Sequence, residues 1–155
     1  PPPPRPPAEG TTGGATCLSG APNEVWCFGE EDYEICKKYM FLRERLRPYI
    51  KEQMAAAHEK GTPVMRPLFY DFPADSAAWA CEDAYLFGPS LLVAPVMEAG
   101  QRQRSVYLPA GAQWTHVWSG ETYEGGQTVT VAAPLEEIPV FTREKDLLPL
   151  FGEEK

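Results

Sequence analysis

The sequence is poor in metal ligands and in positive charge. It has two histidines, His58 and His116, far apart, and four cysteines at 17, 27, 36 and 81 with no C-x-x-C pair. Structural zinc sites draw on clustered Cys and His, so no metal centre is expected, and no cofactor. Lys and Arg total 14 against 22 Asp and Glu, a formal net charge of −8. An acidic surface repels phosphate, which argues against nucleic acid or an anionic membrane as partner. No apolar run approaches the roughly 20 residues needed to cross a bilayer. The start also lacks the basic-then-apolar pattern of a signal peptide. Thiols without a pairing pattern suit a reducing compartment, so a cytoplasmic location is the expectation, with Cys36 and Cys81 packed as small apolar residues. Oligomeric state leaves no trace in the sequence.

Proline, by contrast, is abundant. Seven of the 17 prolines fall within the first 22 residues, where Leu18 is the one large aliphatic side chain. A polyproline II run followed by flexible coil is expected over 1–22. As a ligand for a proline-recognising groove the stretch is a poor match, because Ala8 stands three residues after Arg5 where a proline is wanted.

A helical pattern takes over at Glu30. Glu30, Glu31 and Asp32 place negative charge where the amide end of a helix favours it. Ile35, Tyr39, Leu42, Leu46, Tyr49 or Ile50, and Met54 recur at steps of three and four, one apolar stripe. Gly61 signals the stop, and Pro48 predicts a kink near residues 44–48 of a single helix over 30–60. Arg43, Arg45, Arg47 and Lys51 fall on other faces, as a solvated or paired cluster. In "TPVMRPLFYDFP", apolar residues occupy both alternating sides, which predicts a strand over 62–72 buried on both faces. Pro67 in its middle implies a bulge or an early end. "DSAAWACEDAYLFG" predicts a helix over 75–87, capped by Asp75 or Ser76 and stopped by Gly88.

After Pro89 the pattern is β throughout. "SLLVAPV", "RSVYLP", "QWTHVW", "QTVTVAAP" and "IPVFTR" are short runs bounded by Gly, Pro or Ser-Gly, at the roughly 8–12-residue spacing of a sandwich. Ser119-Gly120 and Gly125-Gly126 mark turns, and the broken alternation at Trp114, Val117 and Trp118 suggests a bulge. The fold class is therefore α+β, with helix, strand and helix leading into an antiparallel β-module.

Several ordered motifs carry a resemblance. "YMFLRERLRPYI", "RPLF" at 66–69, "YLFG" at 85–88, "LLVAPV" at 91–96 and "YLP" at 107–109 together resemble glycoside hydrolase family 31, over about residues 23–151. The resemblance implies that 30–60, 62–72 and 75–87 are the last helix, strand and helix of a (β/α)8 catalytic barrel. It implies that 89–151 form the antiparallel β-sandwich following that barrel. The expected division is thus 1–22, a disordered and non-native start; 23–88, the end of the barrel; and 89–155, the sandwich. A frameshift, mis-called start or truncation would account for the first.

The family's activity implies an α-linked oligosaccharide or glycoside as the partner, glucose or xylose being the sugar. Its enzymes retain configuration through two Asp carboxylates about 5–5.5 Å apart. Both belong to earlier barrel strands than this chain matches. No replacement pair is at hand. Asp71 and Asp75 flank a proline turn, Glu82 and Asp83 are expected on one helix where neighbours diverge by about 100°, and Glu136 and Glu137 adjoin in a loop. Nor do His58 and His116 come with a nucleophile motif. No catalytic residue is expected here, and the chain is expected to be inactive alone. The family also carries an Arg and a His just before "PNEVW", where this chain has "GGATCLSGA".

Two residues are candidates for substrate binding. Trp26 could stack on a pyranose ring at the border of the sugar site, or pack in a loop. Arg66, the one charge in its segment, could contact a polar ligand at the strand end, or form a structural ion pair. The competing reading of the whole is a non-catalytic carbohydrate-binding or interaction β-sandwich, with Trp114 and Trp118 as a sugar platform or, alternatively, as core.

Overall fold

The structure, a computed structural model, describes residues 10–12, 15–17 and 25–152. The expected polyproline run at 1–7 lies outside the described residues. The chain divides into two compact units, Pro1–Glu44 and Arg45–Lys155. In the first, β1 (Gly10–Thr12) pairs antiparallel with β2 (Ala15–Cys17), a short 3-10 turn covers Val25–Phe28, and α1 spans Glu30–Arg45. The first turn of α1 carries all three expected acids.

The predicted single helix is two. α1 ends at Arg45, Leu46 interrupts, and α2 runs Arg47–Lys60. Pro48 is the cause: it lacks the N–H that would bond back to residue 44, so it settles in the first turn of α2, where that donor is an orphan anyway. The helix stops as read, with Gly61 at φ +69° and its N–H on the Ala57 carbonyl. Along the stripe Leu42, Leu46 and Tyr49 are buried and Ile35 and Tyr39 half-buried, but Met54 is exposed and Gln53 takes the buried place.

The segment 62–72 departs furthest from expectation. Only β3 (Met65–Arg66) is strand, and it pairs antiparallel, with Met65↔Phe87 and Arg66↔Leu86. Pro67 ends it with an extended ψ of 158°, and α3 (Leu68–Asp71) follows. Met65 is exposed, so the expected burial of both faces is corrected to one. The predicted helix 75–87 is likewise short. α4 covers Ser76–Ala80 under the Asp75 cap, and Glu82 and Asp83 lie beyond it. Residues 85–87 instead form β4 (Tyr85–Phe87), because pairing with β5 (Leu91–Val93) buries Leu86 opposite Leu92. Gly88 makes the turn between them at φ +61°. A Cβ there would lie 2.2 Å from the Tyr49 hydroxyl, so the position demands glycine.

All five predicted β runs contain strands: β5, β6 (Gln103–Leu108), β7 (Gln113–His116), β9 (Gln127–Ala132) and β10 (Val140–Thr142). β8 (Thr122–Glu124) joins them. Every pairing is antiparallel. One sheet has the order β3-β4-β5-β10-β7-β8, and β6 and β9 form a second. The expected bulge at Trp114–Trp118 is the end of a strand. β7 closes at His116, and the Gly120 N–H returns to the His116 carbonyl at 2.9 Å.

Both sheets feed one core. Leu86, Leu92, Trp114 and Phe141 from the first meet Val106, Leu108, Val129 and Val131 from the second, with Leu68 and Ala78 closing one side. Trp114 has no exposed surface, and its indole N–H is satisfied by the Pro109 carbonyl at 3.0 Å. The core-facing row of β6 includes Arg104, a charge where Val106 and Leu108 set an apolar pattern. It is tolerated because its guanidinium meets the Asp83 carboxylate at 2.7 Å and the carbonyls of Pro95, Asp83 and Ser105.

Candidate functional site

Arg66 lies on β3 and is buried. Its Nε is 3.5 Å from Asp71 Oδ2 across the turn made by Pro67 and α3, and its guanidinium lies over the Tyr70 ring at 5.2 Å. The same carboxylate oxygen is 3.9 Å from Arg143. Arg143 follows β10, stacks on Phe72 at 5.0 Å and Trp114 at 5.6 Å, and donates to the Pro89 carbonyl. One carboxylate thus sits between two arginines on aromatic supports. Arg66 Nε and Asp71 Oδ2 make no hydrogen bond, although both are enclosed. Beside this cluster Asp71, Phe72, Pro73, Asp75 and Gly111 line a cavity of about 350 Å³.

Asp71 was weighed in the sequence only as one half of a catalytic pair with Asp75, and Arg143 was not singled out. A lone Arg closing the apolar run "IPVFT" was the available signal for Arg143, since a charge ending a buried strand needs a partner.

Trp26 belongs to the other unit. It lies in the turn Val25–Phe28 and is 68% exposed, with Phe28 and, on α1, Met40 and Phe41 also exposed. Trp26 and Arg66 therefore stand in separate units. The two tryptophans of the β-module differ. Trp114 is core, which removes it as a sugar platform, while Trp118 is half-buried, donates to the Ile138 carbonyl at 2.7 Å and meets Phe151 edge-on.

Among the carboxylates considered as catalytic pairs, Asp71, Asp75 and Asp83 have structural engagements instead. Asp71 serves the arginines. Asp75 accepts from the N–H groups of Ala77, Ala78 and Ala110 and from the Tyr107 hydroxyl at 2.8 Å. Burial works to raise the Asp75 pKa, but those accepted bonds together outweigh it and leave it below its ordinary value. Tyr107 is pushed up to about 12, by burial first and then by its bond to Asp75. Asp83 pairs with Arg104. Cys81 is half-buried with its thiol pushed up by burial, and Cys27, Cys36 and Cys81 are thiols. Among the described residues no three His, Cys, Asp or Glu side chains are grouped to hold a metal ion, and no helix is long and apolar enough to cross a membrane.

Comparison with known proteins gives these features a context. Residues 61–148 match the model of the glycosyl hydrolase family 31 C-terminal domain. Alpha-glucosidase 2 of Bacillus thermoamyloliquefaciens is 40% identical over 82% of this chain, but the chain spans only 16% of that enzyme. A family 31 alpha-xylosidase from a soil metagenome, solved in complex with xylose, superposes with a TM-score of 0.81 at 52% identity, over 94% of this chain and 22% of its own. A Flavobacterium johnsoniae family 31 dextranase, solved with isomaltotriose, gives a TM-score of 0.78 at 38% identity, over 81% of this chain and 15% of its own. With the match extending over more than half of the sequence, the chain belongs to glycosyl hydrolase family 31.

Proposed function

We propose that this chain acts as the C-terminal part of a retaining α-glycosidase that hydrolyses α-linked glucose or xylose, and that it is inactive alone. In this reading α1, α2 and β3 belong to the end of a (β/α)8 barrel, and residues 89–151 form the β-sandwich that follows it in the chain. The nucleophile and the acid/base carboxylate come from barrel strands that the described residues do not supply. In the assembled enzyme Trp26 borders the sugar site; separately, the Arg66–Asp71–Arg143 cluster fixes the end of β3 within its own unit.

One observation carries the proposal: the acids nearest to a catalytic role are each engaged by a structural partner. Asp71 lies between two arginines, Asp75 caps α4 and holds Tyr107, and Asp83 pairs with Arg104. A retaining enzyme needs two carboxyl groups about 5–5.5 Å apart, one of them able to give up a proton near neutral pH. Asp75 is shifted the wrong way for that acid.

The purified chain is expected to release no nitrophenol from nitrophenyl α-glucoside or α-xyloside above the buffer rate. Hydrolysis that disappears in Asp71→Asn or Asp75→Asn would place the chemistry in this chain and overturn the proposal.

A further inference from the structure

We infer that the side of α1 carrying Met40 and Phe41 docks the barrel portion of a family 31 glycosidase supplied on a separate chain. The choice of partner rests on the functional reading above; the exposure of the side does not. Both residues are more than half exposed, and Phe28 is exposed in the turn just ahead of the helix.

α1 is apolar on two sides. At about 100° per residue, Ile35, Tyr39 and Leu42 share one, with Leu42 buried and the other two half-buried. Tyr33, Met40 and Phe41 fall on the opposite one, where Lys37 and Glu44 add charge of both signs. A surface helix keeps a single apolar stripe; a helix with apolar residues on opposite sides belongs to a packed interior. At sixteen residues α1 is also marginal in water without such packing. Methionine and aromatic side chains are what the centre of a protein interface favours, with charges at its rim.

What covers the second side follows from length. The match to the family 31 alpha-xylosidase takes in 94% of this chain, a span too long to leave out α1. More than three quarters of that enzyme lies outside the match, so the same helix stands there in a chain with ample further protein to cover it. Covering an apolar face needs no peptide bond, so the docking works between chains as well as within one. A second copy of this chain would instead bring a net charge of −8 against −8, and an anionic membrane repels the same charge.

The test co-expresses the full chain with the tagged soil-metagenome alpha-xylosidase from which the matched segment has been deleted. Co-purification of the full chain on the tag is expected, with nitrophenyl α-xyloside hydrolysed by the pair and by neither piece alone. Phe41→Lys should weaken co-purification about tenfold and Phe41→Leu should keep most of it. Met97→Lys, at an exposed position in the β-module, should leave it unchanged. Co-purification without hydrolysis supports the docking surface and counts against the hydrolytic reading. Absence of co-purification overturns the inference, as does a loss no greater for Phe41→Lys than for Met97→Lys. So does assembly of the chain with itself, or with anionic vesicles, through Phe41 in the partner's presence.

Discussion

The β region and α1 spend their apolar residues in opposite ways. On the strands from β4 to β10 the largest side chains go inward: Leu86, Leu92, Leu108, Trp114 and Phe141 have essentially no exposed surface, while the exposed Met97 and Leu135 lie in connecting loops. α1 buries only Leu42 among sixteen residues and leaves Met40 and Phe41 more than half exposed, with Trp26 ahead of it more exposed still. The β region and the segment leading into it also answer several of their polar groups, though His116 Nε2 is left without a partner. Trp114 finds the Pro109 carbonyl, Arg104 finds Asp83, and Asp75 serves four donors. The difference teaches where this chain is complete in itself. Exposed large apolar groups in number mark a surface built to be covered, which agrees with the proposal that more of the barrel belongs against the helical segment.

The contrast can be broken most directly at Trp114. Trp114→Ala removes a fully buried ring and should cost about 3–5 kcal/mol, read as a lower denaturant midpoint and lost near-ultraviolet dichroism. A cost below about 1 kcal/mol would mean that the two sheets do not share a core.

Asp75→Ala comes next, at about 2 kcal/mol, because it removes a helix cap and strands the Tyr107 hydroxyl and the Ala110 N–H. The same residue predicts a pH response. Its folded pKa lies below the unfolded one, so its contribution is fully present above about pH 3.9 and is lost as pH falls through the folded value. Denaturation curves between about pH 5 and 2 should show a steeper loss in the parent than in Asp75→Ala.

The smallest effect belongs to α1. Phe41→Lys should alter stability by no more than about 0.5 kcal/mol, as for an exposed site, while reducing light scattering of the chain at high concentration. A loss above about 1 kcal/mol would show that the residue is already covered, and the comparison between the two regions would fail.

The candidate site was half visible in the sequence. Arg66 stood out because it is the one charge in an apolar segment, and a buried charge must be answered. Its partner could not be named, since Asp71 became available only when Pro67 ended the strand and α3 turned the chain back. Away from the site, His116 looked like an isolated histidine without a motif. Its unpaired Nε2 depends on Phe141, twenty-five positions later, and on the turn at Ser119.

The sequence by itself determined five of the β strands after Pro89, the cap at Asp75, the stop at Gly61 and a disturbance at Pro48, read as a kink where the structure has a break. Each is a local matter: alternation, a side-chain oxygen beside orphan amides, a permissive φ or a missing donor acts within a few residues. Tertiary structure decided the rest. Residues 85–87 have helical spacing with Trp79 and Asp83, yet they extend because Leu92 is opposite Leu86 in the hairpin. Arg104 sits in an apolar row because Asp83, twenty-one residues earlier, neutralises it there. Such choices depend on burial and on partners distant in the chain, and no local pattern encodes them.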